Sequence, residues 1–238
     1  MRIRRTVRLL RRTAPVPLAV ALCLLAAPAA QAEVLWDGDA SGGTGVFDSL
    51  LCEAPGSVTA QDNHDGRGEV FKFNKPLGVK RCEAHGAAGL TFRNNSTYYL
   101  GWDTRTNTDD AATIFQWKSC GTGDQHQQNY PVIIKVEGGR LKLFHIEAGE
   151  KWTLKWSTPV RKDTWKRIVL GIHTSSSAGS GWVEMYYNGT KVARFSGRTW
   201  DDLGNDTRWG SYGAEVENKR AINWIDGLRI GTSHADAA

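Results

Sequence analysis

Polar residues recur at strand-like spacing in three short segments of the chain. They are Arg81, Glu83 and His85 in "KRCEAHG", Gln116 and Lys118 in "FQWKS", and Arg208 and Tyr212 in "RWGSYG". Because side chains alternate between the two faces of a β-strand, each segment would present its polar residues on one face. Arginine, lysine and glutamine can neutralise an anion, and tyrosine and histidine can exchange a proton. The three rows predict a binding cleft, although each row alone also fits a solvated strand face.

The segments around these rows all have the patterns of strands. Apolar residues alternate, or run in short bursts between clusters of Gly, Asn, Asp and Ser, as in β-strands separated by turns. The segments "EGGR" and "YNGTK" predict hairpin turns, since Gly and Asn tolerate a positive φ. So many strands in one chain indicate an all-β fold with two packed antiparallel sheets.

The first 32 residues have the composition of a secretory signal peptide. A basic stretch precedes an apolar run, and "AQA" ends at Ala32. The apolar run is shorter than the roughly 20 residues that span a bilayer. We therefore expect a signal peptide over 1–32, a single domain over 33–238, secretion to the extracellular space, and no membrane attachment once the leader is removed.

The charge balance gives no indication of a nucleic-acid partner. The chain has 30 basic and 25 acidic residues, and six of the arginines lie in the predicted leader. The remaining 24 basic residues nearly balance the acidic ones, so any anion binding must be local. We expect a monomer and no nucleic-acid partner.

Three cysteines follow the predicted leader, namely Cys52, Cys82 and Cys120. Disulfides form in exported proteins, so a bridge is expected here. We predict a Cys52–Cys82 disulfide, with Cys120 free.

The segment "TWKRIVLGIHTSSSAGSGWVEMYYNGTKV" narrows the architecture. A tryptophan opens a strand, a hairpin follows, and the next strand ends in "YYNG". This arrangement resembles the concanavalin A-like β-jelly roll of secreted lectins, laminarinases and several polysaccharide lyases. The resemblance implies that one curved sheet forms a cleft for a glycan, but it does not identify the chemistry.

Two of the polar rows resemble motifs of the alginate-lyase-like jelly-roll lyases. Arg81 and Glu83 match the first Arg and the Glu of an R-S/T-E-L-R strand, and Arg208 and Tyr212 match the Lys and the last Tyr of a Y-F-K-A-G-V-Y strand. His85 stands where the first of these motifs has its second Arg. The order of the segments along the chain is also that of the family.

The third row resembles the Q-I/V-H strand of the same lyases, with Gln116 matching the Gln and Lys118 replacing the His. The segments "YGAEV" and "INWIDGLRIG" look closer to glucuronan lyases of polysaccharide lyase family 20 and to the heparin lyase I group. The resemblance implies an acidic polysaccharide as the partner and β-elimination on a uronic-acid polymer, with a glucuronan-like polymer favoured.

The resemblance also implies roles for these residues. Gln116, with Arg81 or Lys118, would neutralise the carboxylate of the reacting sugar. Tyr212 would protonate the leaving oxygen and is the first candidate for the base, and His85 is the second. The chemistry requires no cofactor.

Further residues are predicted to bind substrate: Arg208, Glu83, His173 in "VLGIH" and Trp117 in "FQWKS". We also expect Arg208 and Lys118 to favour the phenolate of Tyr212, because nearby cations lower the pKa of a phenol. The glycine between them, Gly210, would leave room for the sugar.

Two other functions fit the same fold. A non-catalytic concanavalin A-like carbohydrate-binding module would keep the tryptophans and the cleft but would not need the Arg–Gly–Tyr row. A glycoside hydrolase would need two carboxylates in a fixed relation. The laminarinase-type E-x-D-x-x-E pattern is absent from the chain, and the nearest approach to it is Glu215 with Glu217.

Three aspartates predict a candidate structural calcium site. Asp37 and Asp39 lie in "WDGD" near the start of the predicted domain, and Asp226 lies in "WIDG" near its end. The ends of a jelly roll often meet in neighbouring strands, and calcium prefers six to eight oxygen ligands. Aspartates in turns are the alternative interpretation.

Overall fold

A computed structural model describes residues 33–110, 112–213 and 219–238. The predicted signal peptide, Glu215 and Glu217 therefore lie outside the described residues. Within them there are a 3-10 helix over Ala40–Val46 and a short α-helix, α1, over His234–Ala237. No helix among the described residues is long and apolar enough to cross a membrane.

Strands make up most of the described chain. They are β1 (Val34–Gly38), β2 (Ser49–Cys52), β3 (Ser57–Asp62), β4 (Glu69–Lys75), β5 (Arg81–His85), β6 (Thr97–Thr106), β7 (Ala112–Ser119), β8 (Val132–Glu137), β9 (Arg140–Glu147), β10 (Lys151–Pro159), β11 (Lys166–His173), β12 (Trp182–Tyr187), β13 (Thr190–Ser196), β14 (Asn205–Tyr212) and β15 (Ala221–Gly231).

The strands form two antiparallel sheets. Sheet A has the order β13-β12-β11-β6-β15-β4-β3, with β1 paired to β15, and sheet B has the order β10-β9-β8-β7-β14-β5-β2. Strand β14 lies between β7 and β5 although it is distant in sequence from both, which is how the jelly roll places these three strands side by side. The predicted all-β jelly roll with two packed antiparallel sheets is confirmed.

The core between the sheets is rich in aromatic rings. Trp102 of sheet A stacks on Phe115 of sheet B with ring centroids 4.9 Å apart, and Trp209 is fully buried beside them. Fully burying a large apolar side chain contributes about 1.5–3 kcal/mol. Because neighbouring side chains on a strand point to opposite faces, burying Phe115 and Trp209 turns Gln116 and Arg208 to the outer face of sheet B.

The predicted disulfide is confirmed. Cys52 of β2 lies opposite Cys82 of β5, and the two are bonded, whereas Cys120 is free and exposed. The bridge ties the edge strand β2 to the strand that carries Arg81.

Replacing Cys52 and Cys82 by serine together should lower the free energy of unfolding. The bridge closes a loop of 30 residues, for which the chain-entropy model gives about 3–4 kcal/mol. Denaturant unfolding measures the change, and Cys120→Ser, which should leave the midpoint unchanged, is the control. Recovery of a Cys120-containing disulfide peptide from the native protein would contradict the assignment.

Candidate functional site

The three polar rows come together on the outer face of sheet B. Strand β14 lies between β5 and β7, so Arg208 is opposite His85 on one side and Gln116 on the other. Tyr212 is opposite Arg81 in the same register. Residues that are far apart in sequence therefore share one patch of this sheet.

Gln116 and Glu83 form a buried hydrogen-bonded pair within this patch. The side-chain amide of Gln116 donates to Glu83 Oε1 at 2.6 Å, and the two residues are 3% and 2% exposed. Burial raises the pKa of the Glu83 carboxyl, against the opposing influence of Gln116 and Arg208. Glu83 was predicted to bind substrate, but its burial makes it a residue that orients the Gln116 amide.

The cation nearest Tyr212 is Arg81, and not Arg208 as we expected from the sequence. The Arg81 guanidinium lies over the Tyr212 ring, 4.7 Å from its centroid. Arg208 lies four residues from Tyr212, roughly 13 Å along an extended strand. A cation over the ring face is attracted by the π-system, so Arg81 and Tyr212 hold each other in place.

Gly210 allows β14 to pack closely against β5, and it does not leave room for a sugar. Its φ is +142°, and a Cβ there would lie 2.2 Å from the carbonyl oxygen of Cys82. The register between β14 and β7 shifts between Trp209 and Tyr212. A side chain at Gly210 would push β14 away from β5 and separate Tyr212 from Arg81.

The remaining polar residues of the patch form a cationic group. Burial, followed by the nearby Arg208, lowers the pKa of His85 to about 4 and that of Lys118 to about 8. At neutral pH His85 is therefore an uncharged imidazole, whereas Lys118 is still cationic. Burial and the neighbouring Asp48 raise the pKa of Asp206, which lies opposite Lys118, to about 6.

Three depressions follow one another across sheet B. The central one, of about 190 Å³, is lined by Tyr212 and Gln116 together with Tyr130 and Ile133. On the β5 side, about 340 Å³ is lined mainly by polar side chains: Arg81, His85, Lys118, His126, Asn129 and Arg208. On the β10 side, about 390 Å³ is lined by Lys135, Glu137, Phe144 and Trp152. Together the three depressions form one groove that runs across the strands of sheet B.

Several lining residues were not singled out from the sequence. His126, Asn129 and Tyr130 lie between β7 and β8, a segment whose composition indicates only a loop. Trp152 alternates with polar residues in "KWTLKWS", which predicts a strand but does not tell which face is solvent-exposed. Only the position of β10 at the edge of sheet B exposes this ring.

Two predicted substrate-binding residues lie away from the patch. Trp117 is fully buried between the sheets, and its Nε1 donates to the carbonyl oxygen of Thr199 at 2.7 Å. The alternation that turns Gln116 outward also turns Trp117 inward. His173 is on β11 of sheet A, where its ring stacks on Trp182 and its Nδ1 forms a hydrogen bond with the Thr97 hydroxyl. Trp117 therefore cannot contact a bound sugar, and His173 lies on the other sheet from the three polar rows.

The predicted calcium ligands do not come together. Asp39 accepts a hydrogen bond from the Ser41 N–H, and Asp37 pairs with Arg229 at 3.3 Å. Asp226 accepts from Arg67 at 2.8 Å. No group of three or more metal-ligating side chains occurs among the described residues, so these aspartates do not form the expected site.

A family model described as polysaccharide lyase matches residues 38–229, which include every strand of sheet B. The chain belongs to this polysaccharide lyase family. It is therefore an enzyme that acts on a polysaccharide, and the resemblance to jelly-roll polysaccharide lyases is confirmed. No curated protein sequence matches the chain.

Solved structures share the fold of this lyase at low sequence identity. The family 7 alginate lyase AlgAT5 is 15% identical, over 76% of this chain and 83% of that one, with a TM-score of 0.54. The family 7 alginate lyase A1-II' is 13% identical, over 71% and 81%, with a TM-score of 0.55. Cellulose induced protein Cip1 is 11% identical, over 78% and 92%, also with a TM-score of 0.55. At these identities the likeness establishes the jelly roll alone.

Proposed function

We propose that this polysaccharide lyase is secreted and cleaves a 4-linked uronic-acid polymer, a glucuronan-like one in particular, by β-elimination. The central depression carries this proposal, because Gln116 and Tyr212 line it together and the Tyr212 ring is covered by Arg81. A hydrogen-bond donor, a cation and a proton-transfer group are the parts that this reaction needs.

The reaction begins at the carboxylate of the bound sugar. Its negative charge opposes removal of the neighbouring C5 proton, since the resulting carbanion-like state would carry two negative charges. Gln116 donates to this carboxylate through the amide N–H that Glu83 does not use, and Arg81 supplies positive charge. Both groups are held in place before the substrate binds, which is what makes such stabilisation effective.

Tyr212 carries the proton in the proposed mechanism. As a phenolate it takes the C5 proton, the C–H electrons form the C4–C5 double bond, and the C4–O4 bond breaks. The tyrosine then returns the proton to the departing oxygen of the neighbouring sugar. The products are a new unsaturated uronate end and a new hydroxyl end.

A single tyrosine in both roles favours particular sugars. The hydroxyl reaches C5–H and O4 together only when both lie on the same face of the ring. This is the arrangement in 4-linked D-glucuronate and D-mannuronate, whereas in L-guluronate, L-iduronate and D-galacturonate the two groups lie on opposite faces. A single tyrosine in both roles therefore supports a D-glucuronate polymer over polymers of L-guluronate, L-iduronate or D-galacturonate.

His85 is the second candidate for the base. It is neutral at neutral pH because its pKa is about 4, and its Nε2 has no hydrogen-bond partner among the described residues. It lines the depression on the β5 side with Lys118 and Arg208, however, and not the central depression that Tyr212 and Gln116 line. We place His85 with Lys118 and Arg208 in the binding of the acidic chain beside the reacting sugar.

Secretion is supported by the composition of residues 1–32 and by the Cys52–Cys82 disulfide. We also propose that the protein is a monomer. No step of the proposed mechanism uses a metal or a cofactor.

Incubation with a panel of uronic polymers tests the function. We expect ultraviolet absorbance from the unsaturated product with glucuronan, a weaker signal with polymannuronate, and none with polyguluronate or polygalacturonate. Binding without any unsaturated product would instead indicate a carbohydrate-binding module.

Alkaline pH should weaken the binding of an acidic polymer. Lys118 loses its charge as the pH rises through about 8, well below the 10.5 of an ordinary lysine. The value of kcat/KM should therefore fall above this pH, since this parameter reports ionisations of the free enzyme. In Lys118→Gln the fall should disappear, because the charge is absent at every pH.

The same lysine should affect stability in the opposite direction. Its pKa is lower in the folded chain than in the unfolded one, so the folded chain binds fewer protons between about pH 8 and 10.5. Its contribution to stability therefore rises with pH across this window.

An alkaline fall in kcat/KM that persists unchanged in Lys118→Gln would assign the fall to another group.

A further inference from the structure

We propose that Trp152, flanked by Tyr130 and Phe144, is a stacking subsite for a sugar next to the one at Tyr212, and that this sugar need not be acidic. The inference rests on the proposed function, because it takes the polymer to pass over Tyr212. It adds a binding residue and a selectivity to that function.

Trp152 stands apart from the tryptophans of the core. It is 44% exposed, whereas Trp102, Trp117 and Trp209 are fully buried. A large apolar ring exposed in a depression is costly in water unless a ligand covers it. The flat face of an indole suits the C–H face of a pyranose ring.

The neighbours of Trp152 hold its ring in a defined place. Its centroid is 5.6 Å from that of Tyr130 and 5.4 Å from that of Phe144, which it meets edge to face. The Tyr130 hydroxyl donates to Glu150 at 2.8 Å, which anchors this second ring. A ring fixed before binding loses little conformational entropy when a sugar stacks on it.

The position of Trp152 makes it a neighbouring subsite. Its side chain lines both the central depression, with Tyr212, and the depression on the β10 side. Tyr212 does not line the depression on the β10 side, so a sugar that stacks on Trp152 there lies beside the reacting sugar and is not the reacting one.

The charges beside Trp152 are paired within the protein. Glu137 accepts from Lys142 at 2.8 Å and lies 3.0 Å from Lys135. On the β5 side of Tyr212, by contrast, Arg81, His85, Lys118 and Arg208 line one depression. Positive charge is therefore concentrated on the β5 side of the reacting sugar and aromatic surface on the other side, so an acidic group contributes most toward β5 and the sugar on Trp152 need not carry one.

Kinetics on oligouronides of increasing length test the subsite. We expect Trp152→Ala to raise KM roughly tenfold on the polymer, with kcat nearly unchanged and no effect on the shortest oligomer that is cleaved. Trp152→Phe should recover most of the affinity. Leu77→Ala, which removes another exposed apolar side chain in the turn after β4, should match the wild type.

A loss that falls on kcat, a loss that is equal at all lengths, or no loss would overturn the subsite. Quenching of tryptophan fluorescence by polymer separates this result from failure of the proposed function. If the wild type releases no unsaturated product, the proposed β-elimination fails, yet quenching that disappears in Trp152→Ala still supports the subsite. Quenching that is absent in the wild type, or unchanged in the variant, overturns it.

Discussion

Tyr212→Phe should abolish release of unsaturated product while polymer binding stays nearly intact. Phenylalanine keeps the ring under the Arg81 guanidinium, so the contact at 4.7 Å can persist. It removes the only group that the proposed mechanism uses to carry the proton. Proton transfer contributes about 10²–10⁴-fold to a rate, and more when one residue is both base and acid. The loss should fall on kcat.

The measurement is the initial rate on glucuronan together with the dissociation constant of the polymer. His85→Gln is the informative companion, because His85 is the second candidate for the base. We expect this variant to change KM more than kcat. Wild-type rates in Tyr212→Phe, or loss of kcat in His85→Gln alone, would move the proton transfer to His85.

Gln116→Ala should lower kcat by about 10²–10³-fold, as expected for the loss of one donor to a developing charge. It should also lower the free energy of unfolding by about 1–3 kcal/mol, the cost of a buried group left without its hydrogen bond. The buried group is Glu83, whose Oε1 accepts from Gln116 at 2.6 Å. A solvated strand face, the alternative interpretation of this row, would instead leave the free energy of unfolding nearly unchanged.

Glu83→Gln is the matched control for this pair. It keeps an acceptor for the Gln116 amide, so most of the activity should remain. Rates at several substrate concentrations and thermal unfolding of both variants give the comparison. If Glu83→Gln reduces kcat as strongly as Gln116→Ala does, Glu83 takes part in the chemistry directly and does not merely orient its neighbour.

Local features of this chain could be predicted from the sequence because they depend on neighbouring residues. "EGGR" and "YNGTK" form the β8–β9 and β12–β13 turns, with positive φ at Gly138, Gly139, Asn188 and Gly189. The alternation in "KRCEAHG", "FQWKS" and "RWGSYG" correctly groups their polar residues on one face of each strand. The motif resemblance then led to the fold and to the enzyme class.

The neighbours of each strand were decided by the tertiary structure. His173 follows an apolar strand much as a cleft residue would, but β11 pairs with β6 and β12 in sheet A. Arg208 precedes Tyr212 in one segment, yet the guanidinium over Tyr212 comes from Arg81 on the adjacent β5. Such contacts depend on strand order and register, and these are fixed by packing between segments far apart in sequence.

Packing also decided which aromatic side chains meet solvent. "FQWKS" and "KWTLKWS" both predict strands with a tryptophan, but Trp117 is buried between the sheets and Trp152 is exposed in the groove. Alternation determines which residues of a strand share a face, and does not determine which face is covered. Which face is covered depends on where the other sheet lies. The sequence by itself therefore determined which polar residues share one face of each strand. Only the packing of the two sheets decided how deeply these residues are buried and which residues they contact.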